Sequence, residues 1–168
     1  MSLAPKFLSI GIVSALLSTT ALADKNPEFL DFAVRAAHKV AFNNCDAAIR
    51  DAFQNAGGKD IRVWTDWMDE TKKDTLQISG AYGSDGDMVF VDASIRRTGG
   101  SCVMQISSTI DMEQSCQSYV SDNPAWTIVS ATGSVLGAKN GNGVTAILRP
   151  VQNACVITFR RGSVFKAG

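Results

Sequence analysis

The chain has 168 residues, 45% of them hydrophobic and 19% charged, and its 16 basic residues balance its 16 acidic ones. This composition is typical of an ordinary globular domain and excludes disordered, collagen-like and polytopic membrane proteins. A balanced charge without runs of one sign produces no field that would attract a nucleic-acid backbone. We therefore expect no nucleic-acid partner.

The first 23 residues have the pattern of a secretory signal peptide. Lys6 supplies a positive start, residues 7–17 are apolar, and Ala21-Leu22-Ala23 has the small residues of a cleavage site. An apolar stretch of about 11 to 16 residues is shorter than the ~20 needed to span a bilayer. We expect cleavage after Ala23, a single domain over residues 24–168, a periplasmic or secreted location and no stable membrane span.

The four cysteines lie in the part of the chain that we expect to be exported, where two disulfides are favoured. Pairing Cys45 with Cys102 and Cys116 with Cys155 would join a helix to a strand in each half of the chain. A Cys102–Cys116 bridge with Cys45–Cys155 is the main alternative. Without a C-x-x-C motif, and with His38 as the single histidine, we expect no metal site and no cofactor.

The first element after the signal peptide is predicted to be one helix. It begins at Pro27, carries apolar residues at steps of three and four, and ends near Asn55, before Gly57-Gly58. Residues 60–68 are either a short edge strand or irregular chain.

Alternation with a period of two predicts strands in the middle of the chain. Leu76 and Ile78 point to one side, and Gln77 and Ser79 point to the other. Two further strands follow, one from about residue 87 to 95 and one from 102 to 110, after turns at residues 84–87 and 98–101.

A second helix is predicted from Asp111, where Gln114 completes a capping box, to the stop at Asp122-Asn123-Pro124. Strands over residues 126–136 and 144–149 follow, and a final strand begins at Cys155 and ends near Arg160-Arg161. The predicted fold class is therefore α+β: an antiparallel sheet covered by two helices, in an α-βββ arrangement that occurs twice, with two disulfides.

No catalytic residues are assigned. His38 is interpreted as a solvated helix residue, because no serine motif accompanies it and residues 133–137 do not form G-x-S-x-G. Asp66, Asp69, Glu70 and Asp74 form an acidic cluster that is interpreted first as a solvated loop. A small periplasmic hydrolase that uses these acids is an alternative function.

Two groups of residues are candidate binding sites. Large side chains beside acidic residues are typical of interaction anchors, and they make Trp64, Trp67 and Met68 candidates for binding a partner, with core packing as the competing interpretation. Alternation along residues 61–68 selects Trp64 as the outward-facing tryptophan. The second group, proposed as an anion site at one end of the sheet, comprises Arg96, Arg97, Arg160 and Arg161.

These observations favour a non-enzymatic, exported binding protein of the cell envelope. An inhibitor or immunity-type protein that binds an envelope or secreted partner protein is the most specific form of this hypothesis. A disulfide-linked chain without a catalytic constellation supplies a rigid surface more readily than a reaction. A carrier that holds a small ligand between sheet and helices is the other alternative.

Overall fold

The computed structural model describes residues 27–84 and 87–168, so the predicted signal peptide and the turn residues Asp85-Gly86 lie outside the described residues. One antiparallel sheet contains eight strands, in the order β1-β2-β3-β4-β8-β7-β6-β5. In chain order the elements are α1 (Pro27–Lys39), α2 (Asp46–Ala52), β1 (Asp60–Trp67), β2 (Thr75–Ser84), β3 (Asp87–Thr98), β4 (Ser101–Met112), α3 (Cys116–Asp122), β5 (Trp126–Thr132), β6 (Val135–Asn140), β7 (Thr145–Val151) and β8 (Ala154–Lys166).

The predicted α+β class with two covering helices is wrong. Strands take up 53% of the described residues and helices only 19%, in three short pieces, so the fold is mainly one large sheet. Four strands follow the helices in each half, where the α-βββ repeat has three and residues 60–68 were a possible fourth. Residues 60–67 pair with β2 along their whole length, and the chain reverses at Gly133, whose φ of +58° suits a tight turn between β5 and β6.

The single helix predicted from Pro27 to Asn55 is two helices with a break between them. Ala41 and Asn44 have φ of 61° and 72°, which is left-handed backbone that no helix continues through. Between them Phe42 is fully buried, with its ring 6.0 Å from that of Trp67 on β1. Burial of this ring against the sheet accompanies the break, and the local sequence pattern contains no sign of it.

The predicted capping box at Asp111 is also wrong. Asp111 and Met112 belong to β4, where they pair with Val156 and Cys155 of β8. The residue that caps α3 is Ser115, whose hydroxyl accepts a hydrogen bond from the Ser118 amide at 3.1 Å. Ladder hydrogen bonds with a distant strand therefore extend β4 past the local helix signal.

Both disulfides have the predicted pairing. Cys45 bonds Cys102 and Cys116 bonds Cys155, with Cα–Cα distances of 5.8 and 4.9 Å. The first bridge ties the start of α2 to β4, and the second ties the start of α3 to β8. Each bridge thus fastens a helix to one of the two central strands.

All three helices pack on the same face of the sheet, which we call the helix-covered face. Helices α1 and α2 lie over β1–β4, with a core that includes Ile49, Phe53, Leu76 and Ile95, and α3 lies over β6–β8. Gly80 permits the closest contact, because a Cβ at this position would lie 2.4 Å from the Phe53 ring. The sheet is thereby packed on one side only.

Removing either disulfide should destabilise the protein by a similar amount. The bridges close chain segments with sequence separations of 57 and 39 residues, and the chain-entropy relation gives at most about 4 kcal/mol for each. Urea denaturation of Cys45→Ala/Cys102→Ala and Cys116→Ala/Cys155→Ala tests this. A loss below ~1 kcal/mol in either variant would contradict the entropic account for that bridge.

Alkaline pH should weaken the fold through its two tyrosines. Burial raises the pKa of Tyr82 and of Tyr119, in the latter against a smaller opposing effect of its hydrogen bond with Trp126. Unfolded tyrosines ionise near pH ~10, so above that pH the unfolded state loses protons first and the unfolding free energy falls. Tyrosinate absorbance should therefore rise at higher pH in the folded than in the urea-unfolded protein, and Tyr82→Phe should reduce the alkaline loss.

Candidate functional site

The opposite side of the sheet, which we call the helix-free face, carries no helix in the described part of the chain. Strand register sets its side chains in rows that cross the strands. One row runs through Trp64, Ser79, Asp92, Ser107 and Arg160, from β1 to β8. The row contains residues from both halves of the chain, brought together by the pairing of β4 with β8.

A groove of about 440 Å³ lies at the centre of the helix-free face. It crosses strands β2, β3, β4, β8 and β7, and Gly143 from the loop between β6 and β7 borders it. We call this the polar groove, because most of its side chains donate or accept hydrogen bonds: Gln77, Asp92, Ser94, Gln105, Ser107, Thr145 and Arg160.

Asp92 is held in place at one side of the polar groove. Its Oδ1 accepts hydrogen bonds from Gln77 Nε2 and Ser79 Oγ, both at 2.6 Å. Oδ2 has no hydrogen bond from a described residue, so it can accept one from a ligand. Two neutral donors orient the carboxylate without neutralising it.

Arg160 lines the groove on β8 and is exposed, and its side chain makes no hydrogen bond or ion pair with a described residue. It is two strands from Asp92, with Ser107 between them, so the two Cα atoms are about 10 Å apart. Opposite charges therefore face the groove from its two sides without forming a pair.

The floor of the groove is open at Gly162, which pairs with Gln105. A Cβ at Gly162 would lie 3.5 Å from the Met104 carbonyl, an ordinary van der Waals contact, so the backbone would accept a side chain there. The absence of that side chain leaves room in the groove beside Arg160 and Gln105.

Exposed apolar side chains are concentrated on the helix-free face. Among the described residues, eleven large hydrophobic side chains are exposed, and seven of them point outward from strands on the helix-free face. Trp64 is 51% exposed and Phe90 46%. The seven are Trp64, Met88, Phe90, Val103, Ile147, Val151 and Val164.

The residues predicted as a partner-binding anchor are divided between the core and the surface. Trp64 faces outward, as alternation predicted, and Met68 is 63% exposed just after β1. Trp67 is half-buried on the helix-covered face, where it contacts Phe42 and lies 5.9 Å from the Lys73 ammonium. Only Trp64 and Met68 are therefore available to a partner, and their role remains a prediction.

The four predicted anion-binding arginines do not lie together. Arg96 and Arg160 share the helix-free face, but Arg96 pairs with Val103, four residues along β4 from the partner of Arg160. With the two strand spacings between β3 and β8 included, their Cα atoms are roughly 17 Å apart. Arg97 donates to the Lys73 carbonyl at 2.6 Å and stacks 4.8 Å from the Phe42 ring.

Arg161 is on the helix-covered face. Its Nη1 contacts Asp51 Oδ2 at 2.5 Å, and its Nη2 donates to the Asp51 carbonyl at 3.0 Å. This ion pair sets a guanidinium against a buried carboxylate oxygen that accepts no hydrogen bond from a described residue, and it joins α2 to β8. β8 also continues past Arg161 to Lys166, beyond the predicted strand end.

Three residues of the acidic cluster, Asp69, Glu70 and Asp74, lie in the turn between β1 and β2. Asp69 Oδ1 accepts hydrogen bonds from the Thr71 hydroxyl at 2.6 Å and from the Thr71 amide at 3.0 Å. These bonds to Thr71 lower the pKa of the Asp69 carboxyl below its usual value. Asp66 points outward from β1, and Asp74 accepts from the Thr75 hydroxyl at 3.2 Å.

His38 joins the two N-terminal helices. Its Nε2 lies 2.8 Å from Asp46 Oδ1, and both side chains are about two-fifths exposed. Among the described residues no three His, Cys, Asp or Glu side chains are grouped so that they could hold a metal ion.

Alternation predicts that Gln77, Ser79, Gln105 and Ser107 lie on the polar side of their strands, but no sequence pattern marks them or Asp92 as a site. The only sequence feature that these residues share is their place at outward-facing positions of alternating strands. Which outward residues meet depends on the strand order and register, and these are not local properties.

None of the described helices combines the length and the apolar character that crossing a membrane requires. No protein-family model, curated protein or solved structure matches this chain. Its function is therefore argued from the geometry of the helix-free face.

Two neighbouring arginines should differ sharply in their effect on stability. Arg161→Gln removes the partner of the half-buried Asp51 and should lower the unfolding free energy by about 2 kcal/mol. Arg160→Gln changes an exposed side chain without a described partner and should change the unfolding free energy by less than ~0.5 kcal/mol. Urea denaturation of both variants checks this, and equal losses would contradict the assigned role of the ion pair.

Proposed function

We propose that this protein is a non-enzymatic, exported binding protein of the cell envelope, and that a partner protein docks on the helix-free face of its sheet. An inhibitor or immunity-type role is the specific form that we favour. The observation that carries the proposal is the concentration of exposed apolar side chains on that face. Seven of the eleven in the described part of the chain are found there.

Several large apolar side chains on one face are unusual where that face is exposed only to solvent. Single exposed apolar residues are common, but several on one face indicate an interaction surface. The face also combines the features of binding hot spots, since Trp64 and Phe90 can anchor a partner and the polar groove offers hydrogen bonds beside them.

Export is supported by the two disulfides, because such bridges form and persist in oxidising compartments. They also hold the helices on the opposite face, so the docking surface is backed by a cross-linked core. A rigid surface loses little entropy on binding.

The alternative function, a hydrolase that uses the acidic cluster, has less support than the binding function. A general acid for glycoside hydrolysis needs a raised carboxyl pKa, and that of Asp69 is lowered by its bonds to Thr71. The carboxylate stabilises a turn and is committed to local hydrogen bonds.

Partner capture from an envelope extract tests the proposed function. The wild-type protein should retain a specific protein, and Trp64→Ser/Phe90→Ser should lose it. With the captured partner purified, the double variant should raise Kd by about 30-fold or more, the effect expected for loss of a hot spot.

A matched control is available on the edge strand β5. Ile128 is 46% exposed and Val129 57%, much like Trp64 and Phe90, but Ile128 pairs with Ala138 of the helix-covered face and Val129 lies in a bulge. Ile128→Ser/Val129→Ser should retain the partner. Loss of capture in this control alone would refute docking on the helix-free face.

A further inference from the structure

We propose that the polar groove binds a zwitterionic peptide of two or three residues, with its ammonium group at Asp92 and its carboxylate at Arg160. This goes beyond docking of a partner protein, since it assigns a small-ligand site to a part of the face that is polar. It also differs from a carrier cavity between helices and sheet, because the groove is on the opposite face.

Asp92 is the residue that binds the ammonium group of the peptide. Gln77 and Ser79 both donate to Oδ1, which fixes the carboxylate before a ligand arrives. An ammonium group can then bond Oδ2 as a charge-assisted hydrogen bond, at little cost in side-chain ordering.

Arg160 is the residue that binds the carboxylate of the peptide. Its guanidinium has no described partner to displace, and it can bind a carboxylate through two parallel hydrogen bonds. Its neighbour Arg161 also borders the groove, but the Arg161 guanidinium is committed to Asp51 on the other face, so the free guanidinium is that of Arg160.

The spacing of the two charges suits a short peptide. Asp92 and Arg160 are separated by two strand spacings, or about 10 Å, and three extended residues span about the same length. A single amino acid spans only about a third of this Cα separation. Ser107 lies between Asp92 and Arg160, and Ser94 and Gln105 lie in the adjacent row of the groove. These side chains present neutral hydrogen-bonding groups that match the amides of a peptide backbone.

Triglycine is the simplest probe. Isothermal titration calorimetry or amide chemical shifts should detect its binding to the full protein at low salt, and its affinity should fall as salt screens the charges. N-acetyl-triglycine and triglycine amide should each bind at least about tenfold more weakly, because each lacks one charged hydrogen bond. Glycine alone should not bind measurably.

Variants locate the site. Asp92→Asn should abolish the preference for a free ammonium group, and Arg160→Gln the preference for a free carboxylate. Gly162→Val should block the groove while leaving the fold intact, because the backbone accepts a Cβ there. Asp111→Asn and Arg149→Gln alter exposed charges on the same face but outside the groove, and they should bind triglycine as the wild type does.

Absence of triglycine binding at millimolar concentrations would overturn the proposal. So would binding that survives capping of both ends, or that persists in Gly162→Val. Because the titration uses no partner protein, and the capture experiment alters Trp64 and Phe90 outside the set of groove residues, either proposal can fail without the other.

Discussion

The pairing of β4 with β8 is the constraint on which the rest of the structure depends. Twelve residue pairs, from Ser101 with Lys166 to Met112 with Cys155, join the two halves of the chain into one sheet. Cys102 and Cys155 lie near opposite ends of this ladder, and each bonds a helix. Because both cysteines point to the same face, the helices are confined to that face and the other is left uncovered.

The same ladder determines which charged side chains are neighbours on the helix-free face. Asp92 belongs to the first half and Arg160 to the second, and they share a row only because β3 and β8 flank β4. On the covered face the ladder sets Arg161 beneath α2, where it pairs with Asp51. Consecutive arginines on one strand thus have opposite roles, one in stability and one at the polar groove.

The two proposed activities use different parts of one surface. Apolar side chains such as Trp64 and Phe90 suit a protein partner, whereas the groove suits a small charged ligand. A partner that covers the face would also cover the groove. Ligand and partner would then influence each other through direct contact, and by linkage the effect of each on the other's affinity would be equal.

Local patterning was sufficient for most strands and for the outward orientation of Trp64, because alternation is a property of neighbouring residues. It favoured the observed disulfide pairing but left the Cys102–Cys116 alternative open, because four cysteines allow three pairings. It failed at the helix break around Phe42, at the Ser115 cap, at the turn at Gly133 and for the fold class. The first two depend on long-range contacts: a buried ring against Trp67, and a ladder that extends β4 past Asp111. For the same reason, only the tertiary structure decided that Asp92 and Arg160 lie in one row. Strand order and register arise from hydrogen bonds between segments far apart in the chain.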